Sequence, residues 1–345
     1  MNSTLLSTPG AVTEREDSTV AWHYGDPLRE QRLLDTTGAV VDRGDRDLLI
    51  LTGAERLSWL HSITSQHLEN LGAGQGTELL VLSPNGHIEH HAGVFHDGER
   101  VWLDTAAGRG ADLKSFLEKM RFFAQVEIET VSDFALLSVT RPSELAEPDT
   151  MGIPDAKFAT GELAARPSAI FAGRSRGDGG WERRTDVLTA PTTDVLVPRD
   201  RVAETVDSLG LPLAGTWAFD TLRIPSGNPV FGVDTDHKTI PHEMPALMAT
   251  SVHLDKGCYR GQETVARVHN LGKPPRMLSI LHLDGTEEQP PAPGADVTLD
   301  GRVVGRVGTA ARHYEDGMIA LALLRRNVRE KADVQLMVGN SAAGL

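Results

Sequence analysis

The stretch Lys256-Gly257-Cys258-Tyr259-Arg260-Gly261-Gln262-Glu263 sets the only cysteine of a 345-residue chain among cations and glycines. A thiol acts as nucleophile or redox centre through its thiolate, and nearby positive charge enlarges the thiolate fraction. Lys256 and Arg260 each stand two residues from Cys258, within reach in most backbone conformations. Gly257 and Gly261 bracket Cys258 and Tyr259 and suit a turn that presents the thiol. The competing reading is structural, since an isolated cysteine often packs as a small buried hydrophobe.

Other groupings offer different chemistry. From Arg223 to Glu243, Pro225, Pro229, Pro241, Gly227 and Gly232 exclude a regular helix or central strand, so turns and side-chain bonds must shape the loop. Arg223 and Glu243 there supply a guanidinium and a carboxylate. A carboxylate accepts two parallel hydrogen bonds from the N–H and amino edge of a planar heterocycle; an internal ion pair is the alternative. His87, Glu89, His90, His91 and His96 form the densest histidine group. Strand alternation places His87, Glu89 and His91 on one face, a conceivable metal trio, with a solvated sheet edge as the alternative. No second signal supports a metal, and none is expected. Arg174, Arg176, Arg183 and Arg184 surround Gly177-Asp178-Gly179-Gly180, which reads as a solvated loop able to receive an anion. Gly72-x-Gly74-x-Gly76 precedes a strand instead of following one, the reverse of a dinucleotide fingerprint. His253 and His269 flank Cys258, but a Cys/His pair requires contact in space, which proximity in sequence does not supply.

The elements that must position these residues follow from periodicity. Asp47 to Leu51 reads as a buried strand, and Thr52 to Glu55 has capping-box form ahead of a helix carrying Leu57, Leu60 and Ile63. Three apolar runs, Leu79–Leu82, Ile88–Phe95 and Val101–Leu103, are parted by turn-like segments and predict a meander. A second helix bears Leu113, Phe116, Leu117 and Met120 on one face, and Val126–Val131 adds a strand. Pro142, Pro148, Pro154 and Pro167 then interrupt a polar stretch. Val187-Leu188 and Asp194–Val197 are expected strands, followed by a helix from Asp200 to Leu209. Short β-type runs at Met277–Leu283, Asp296–Leu299, Val303–Val307, Met318–Leu324 and Asp333–Val338 predict a small barrel or sandwich. Lys273-Pro274-Pro275 is the expected linker before it.

One cysteine excludes an internal disulfide framework, a Cys-rich zinc site and a self-contained iron–sulfur cluster. A formal charge of −14 opposes nonspecific attraction to nucleic acid or anionic membrane. Met1 to Asp17 has no secretory pattern and reads as a disordered Ser/Thr-rich start, and no run reaches membrane-spanning length. A cytoplasmic protein with no direct nucleic-acid or membrane partner is expected. Nothing in the sequence demands an oligomer, so a monomer is expected.

Lys256 to Glu263, continued by Thr264 to Pro275, resembles the signature of the YgfZ-type folate-binding proteins, relatives of the glycine-cleavage T-protein, an aminomethyltransferase. Arg223 to Glu243 is similar to both groups, and the order of elements is similar from about Asp35 to the C-terminus. The resemblance implies an α+β fold, a three-domain cloverleaf around a central hole. Its parts would be a folate-binding core (residues 1–46 plus 132–255), a ferredoxin-like domain (47–131), a motif segment and linker (256–274) and a C-terminal β-barrel (275–345). It also implies tetrahydrofolate or a derivative in the central channel. Arg223 then stands for a folate-site arginine and Glu182 for a pterin-binding glutamate. Glu243 joins them from its loop chemistry, and the motif, with Gln262 and Glu263, makes one wall. The implied role is a tetrahydrofolate-binding accessory protein for assembly or repair of iron–sulfur clusters in client enzymes, tRNA-modifying ones included. Cys258 would be the functional thiol, attended by Lys256 and Tyr259. T-proteins carry adjacent aspartates after a Gly-Gly-Val/Ile turn, where this chain has Gly86-His87-Ile88-Glu89-His90. The longer Glu89 side chain displaces a carboxylate from that position, which leaves folate-dependent aminomethyl or methyl transfer as the alternative.

Overall fold

A computed structural model describes residues 1–142, 170–330 and 334–345. Pro148, Pro154, Pro167 and Asp333 lie outside the described residues. The chain runs through α1 (Pro27–Arg32), β1 (Val40–Asp42), β2 (Asp47–Thr52), α2 (Arg56–Ile63), β3 (Gln75–Leu82), β4 (Ile88–His96), β5 (Val101–Thr105), α3 (Gly110–Arg121), β6 (Glu127–Val131) and β7 (Phe134–Thr140). It continues with β8 (Phe171–Ser175), β9 (Trp181–Thr185), β10 (Thr192–Pro198), α4 (Val202–Leu209), β11 (Leu213–Ala214), α5 (Thr216–Leu222), α6 (Pro245–Ser251) and α7 (Gln262–Leu271). Last come β12 (Arg276–Leu283), β13 (Asp296–Leu299), β14 (Arg302–His313), β15 (Gly317–Arg325), α8 (Arg326–Arg329), β16 (Leu336–Val338) and β17 (Ser341–Gly344).

The strands form an 11-stranded sheet, ordered β11-β1-β7-β10-β9-β8-β3-β4-β5-β2-β6, and a closed barrel, ordered β12-β15-β14-β13-β16-β17. This is an α+β architecture. Period-two alternation divides the large sheet into two faces. On the outer one, Leu79, Val81, Ala92 and Val94 pack on Trp59 and Leu60 of α2 and Leu113 and Leu117 of α3. Leu137, Val139, Val195 and Val197 likewise cover Val202 and Val206 of α4. The inner face closes on itself: Phe95 of β4 stacks on Trp181 of β9 with ring centroids 4.9 Å apart, although β3 and β8 separate these strands in the sheet. Leu48, Trp102, Leu136 and Leu196 complete that buried layer.

The barrel docks through a further apolar cluster that joins Leu80 and Leu82 of β3 to Met244, Tyr259, Leu278, Leu321 and Leu323. Two ion-pair clasps reinforce the junction. Arg276 at the start of β12 meets both Glu243 oxygens at 2.7 and 2.8 Å and Asp236 Oδ2 at 2.7 Å. Arg223 Nη1 lies 3.0 Å from Asp234 Oδ2, while Thr309 of β14 donates to the same carboxylate oxygen at 3.1 Å.

Several local expectations change. The N-terminal start is packed, with Ser3 capping a short turn at Thr4–Ser7 and Leu5 buried against the α4 core. The capping box before α2 does not form, because Glu55 accepts from the Gln125 amide at 2.6 Å instead. Val187-Leu188 is a bend, not a strand; the strand is β9, inside the stretch read as a glycine-rich loop. The motif segment contains a helix, α7.

Candidate functional site

Above the aromatic layer, the inward positions of the sheet turn polar. Glu78, His91 and Gly93 occupy this face together, since Leu80 pairs with His91 and Glu78 with Gly93, and Phe95 two residues on belongs to the inner layer. Across the fold, Arg183 of β9 bridges two strands, with Nη2 2.9 Å from Asp104 Oδ1 and 2.8 Å from Asp194 Oδ2. Arg46 Nε adds a bond of 2.9 Å to Asp104 and Ser138 Oγ one of 2.8 Å to Asp194. Position 93 must be glycine here, because a Cβ would lie 2.4 Å from Asp104 Oδ1 and 2.7 Å from Arg183 Nη1. Burial works to raise the Asp104 carboxyl, but the charges of Arg183 and Arg46 outweigh it and hold Asp104 well below the usual carboxylate range.

Glu78 stands next to this layer and gathers donors from two elements. Thr250 Oγ1 lies 2.5 Å from its Oε2, Ser251 Oγ 3.1 Å and His91 Nε2 3.3 Å. Burial raises its carboxyl, yet the bonds from His91 and Thr250 and the charge of Arg183 carry it down to about 2. Asp186 behaves oppositely: burial and the Glu78 charge push its carboxyl up, with Arg184 opposing. The loop after β9 that carries Asp186 is tied by Asn228 Nδ2, 2.9 Å from the Asp186 carbonyl, and by Ser226 Oγ, 2.8 Å from that of Val187. On the Asp194 side, Arg43 follows β1 with its Cζ 4.0 Å from the centroid of the Phe219 ring. The result is a depressed carboxylate beside an imidazole, a second carboxyl with a raised pKa, and a cation, all around one buried ion-pair layer.

The segment that carries the thiol docks elsewhere, with Gly261 against the β3–β4 turn. Cys258 is exposed. Gly261 adopts φ +83°, and a Cβ there would meet Ser83 O at 2.6 Å and Gly86 Cα at 3.0 Å, so its close approach docks the motif on the hairpin. Two residues before the thiol, Lys256 donates to the His61 carbonyl, to Thr64 O at 2.6 Å and to Gln66 O at 3.0 Å. Burial pushes its ammonium down to about 7. Tyr259 sits in the junction core, and burial pushes its hydroxyl up to about 12. The cations flanking Cys258 in sequence are therefore engaged away from it: Lys256 with these carbonyls, and Arg260 with Glu89 at 2.8 Å.

No family model matches the chain. It is 27% identical over 284 residues to a putative chloroplastic transferase of Arabidopsis thaliana, covering 79% of this chain and 62% of that protein. It is also 27% identical over 269 residues to an aminomethyltransferase of Stenotrophomonas maltophilia, covering 75% and 71%. The solved glycine cleavage system aminomethyltransferase T of Bartonella henselae superposes with a TM-score of 0.79 at 18% identity, over 98% of this chain and 93% of that one. The fold is that of aminomethyltransferase T. The chain spans less than two thirds of the chloroplastic relative's length.

Within this aminomethyltransferase T fold, the residues read from sequence separate. Cys258, Lys256, Tyr259 and Gln262 form one unit, with Gln262 Nε2 3.2 Å from the Lys256 carbonyl. Glu263 is exposed in the first turn of α7. Arg223 directs its guanidinium at Asp220, Asn228 O, Asp234 and Thr309, and Glu243 faces Arg276; both lie in the barrel clasps. Glu182 alternates with the inward Arg183 and so faces outward, paired with Arg174 at 2.7 Å and Arg176 at 2.9 Å. A bulge at Glu89, where Leu82 pairs with Ile88 but Val81 with His90, breaks the alternation expected of His87, Glu89 and His91. Among the described residues, no group of His, Cys, Asp or Glu side chains could hold a metal ion, and no helix is long and apolar enough to cross a membrane. Sequence reasoning passes over Glu78, Thr250, Asp186 and Arg43. Their only local signal is Gly93, a glycine inside a strand, which marks close approach by another group.

Proposed function

We propose that the chain binds a tetrahydrofolate over the polar inward face of its sheet and uses Cys258 as a working thiol in support of iron–sulfur client enzymes in the cytoplasm. The folate part follows from the resemblance carried by Lys256 to Glu263. The observation that carries the thiol part is the mount of Cys258: an exposed residue on a turn held by Lys256 in a carbonyl cage, Tyr259 in the core and Arg260 on Glu89. Such a mount fixes a reactive group without burying it. In this reading Lys256 and Tyr259 hold the thiol's turn, and Gln262 and Glu263 extend the wall beside it. Arg223, Glu182 and Glu243 act through the ion pairs that shape the folate core. In a deletion strain, Cys258→Ala should leave iron–sulfur enzyme activity at the uncomplemented level while melting temperature and folate affinity match wild type. Full restoration by Cys258→Ala ends the thiol reading.

A second reading, folate-dependent aminomethyl or methyl transfer, draws on Glu78, His91 and Asp186. A carboxylate–imidazole pair beside a carboxyl of raised pKa supplies acid and base groups to one-carbon chemistry. Product formed from tetrahydrofolate and an aminomethyl or N-methyl donor, and lost in Glu78→Gln, would establish it; absence of product with every donor removes it.

A further inference from the structure

His242 is an imidazole that the fold buries and leaves without a partner. It is 2% exposed, and among the described residues neither Nδ1 nor Nε2 meets a hydrogen-bond partner. A neutral imidazole carries one donor and one acceptor, and burying both unpaired costs more than an apolar ring of similar size would. The residue sits in a short helical turn, Pro241–Glu243, that touches α6, α7 and β12. Ile240, Met244 and Leu247 around it are buried and apolar. No element at this junction supplies an acceptor for a charged ring. α6 has no titratable side chain. Glu243, the carboxylate on the turn itself, is held through both oxygens by Arg276 of β12, and His282 on the same strand is exposed. On α7, Glu263 and Arg267 are exposed, and the group nearest the ring is His269, with centroids 6.2 Å apart. Burial first, and then the charge of His269, hold the His242 ring down at about 4.

We propose that His242 is an acid-released latch between the Pro241–Glu243 turn and α7, the helix that continues the Cys258 motif. While the ring is neutral, turn and helix pack together and the junction stays shut. A proton gained by the buried ring meets no acceptor and is repelled by His269, so the charged form is accommodated when turn and helix part and water reaches the nitrogens. The closed ring titrates at about 4 and a ring in water at the ordinary 6.5, so between these values the closed state binds fewer protons than the open one. Closure is complete above pH 6.5 and weakens as pH falls toward 4. The latch needs no ligand and stands apart from the folate and thiol readings.

The test follows backbone hydrogen exchange of α7 between about pH 7.5 and pH 5, corrected for the intrinsic rate, in wild type, His242→Phe and His269→Gln, with β3 as the internal control. Opening of α7 in wild type should rise about tenfold or more over that range, and by less than about twofold in His242→Phe. In His269→Gln the rise should be smaller than in wild type, because the repelling ring is gone, and β3 should keep its protection throughout. Protection of α7 that does not change with pH in wild type, a rise as large in His242→Phe, or an equal loss of protection in β3 would each overturn the latch. Where His242→Phe does not fold, His242→Gln, whose amide does not titrate, takes its place. Histidine nitrogen resonances give an independent readout. The ring that is missing from the His242→Gln spectrum should stay neutral in wild type at about pH 5, and a charged ring there with α7 still protected overturns the proposal.

Discussion

Glu78 collects Thr250, Ser251 and His91 because a half-buried carboxylate must replace much of its lost water with several donors at once. Its carboxyl titrates at about 2 in the folded protein against an ordinary value of 4.5. A carboxyl depressed in the native state adds stability above its unfolded pKa, and that stability is lost as pH falls through the folded value. The loss therefore occupies the window from pH 4.5 down to about 2, and its full size is roughly 3 kcal/mol. Glu78→Gln should lower the urea midpoint at pH 7 and flatten the acid limb across that window; an unchanged limb would mean another group governs it. Cys258 makes the opposite case. It is exposed, so Cys258→Ala should hold its urea-derived stability within about 0.5 kcal/mol of wild type.

At the scale of elements, the two glycines around the thiol differ. Gly261 combines φ +83° with a close approach to Ser83 O, whereas a Cβ on Gly257 meets nothing within 4 Å. Gly261→Ala should cost about 1–3 kcal/mol and loosen the motif from the β3–β4 hairpin. Gly257→Ala should be near neutral, within about 0.5 kcal/mol. Denaturant melts of the pair check both, and equal effects would refute the assigned geometry. This contrast shows what the sequence makes legible. The motif is contiguous, so Cys258, Lys256, Tyr259 and Gln262 can be grouped by spacing, and β2 to β6 with their two helices follow from clean changes of period. Glu78 and His91 meet only through register, and the bulge at Glu89 shifts that register in a way no alternation pattern reveals. The charges of Lys256 and Arg260 are visible in sequence, but their direction is set by the His61–Gln66 carbonyls and by Glu89, which belong to other elements. Arg183 hides in a stretch with loop composition and becomes central only because β9 threads the sheet.

For the whole molecule, the sheet and barrel are held by an apolar junction and by the two clasps around Arg276 and Arg223. Glu243 is buried, so Arg276→Met strands its charge and should cost about 3–5 kcal/mol. Thermal unfolding should broaden, with faster proteolysis at Lys273 to Pro275, whereas a single sharp transition at the wild-type temperature would show that the clasp does not couple the two parts. This closed frame brings the polar inward face, and the thiol turn docked on its hairpin, into one molecule. Calorimetric titration of tetrahydrofolate tests the central claim most directly. The account predicts saturable one-to-one binding by wild type, retained in Cys258→Ala and weakened in Glu78→Gln. No saturable heat with wild type, or equal binding by Glu78→Gln, would contradict a folate site on the inward face of the sheet.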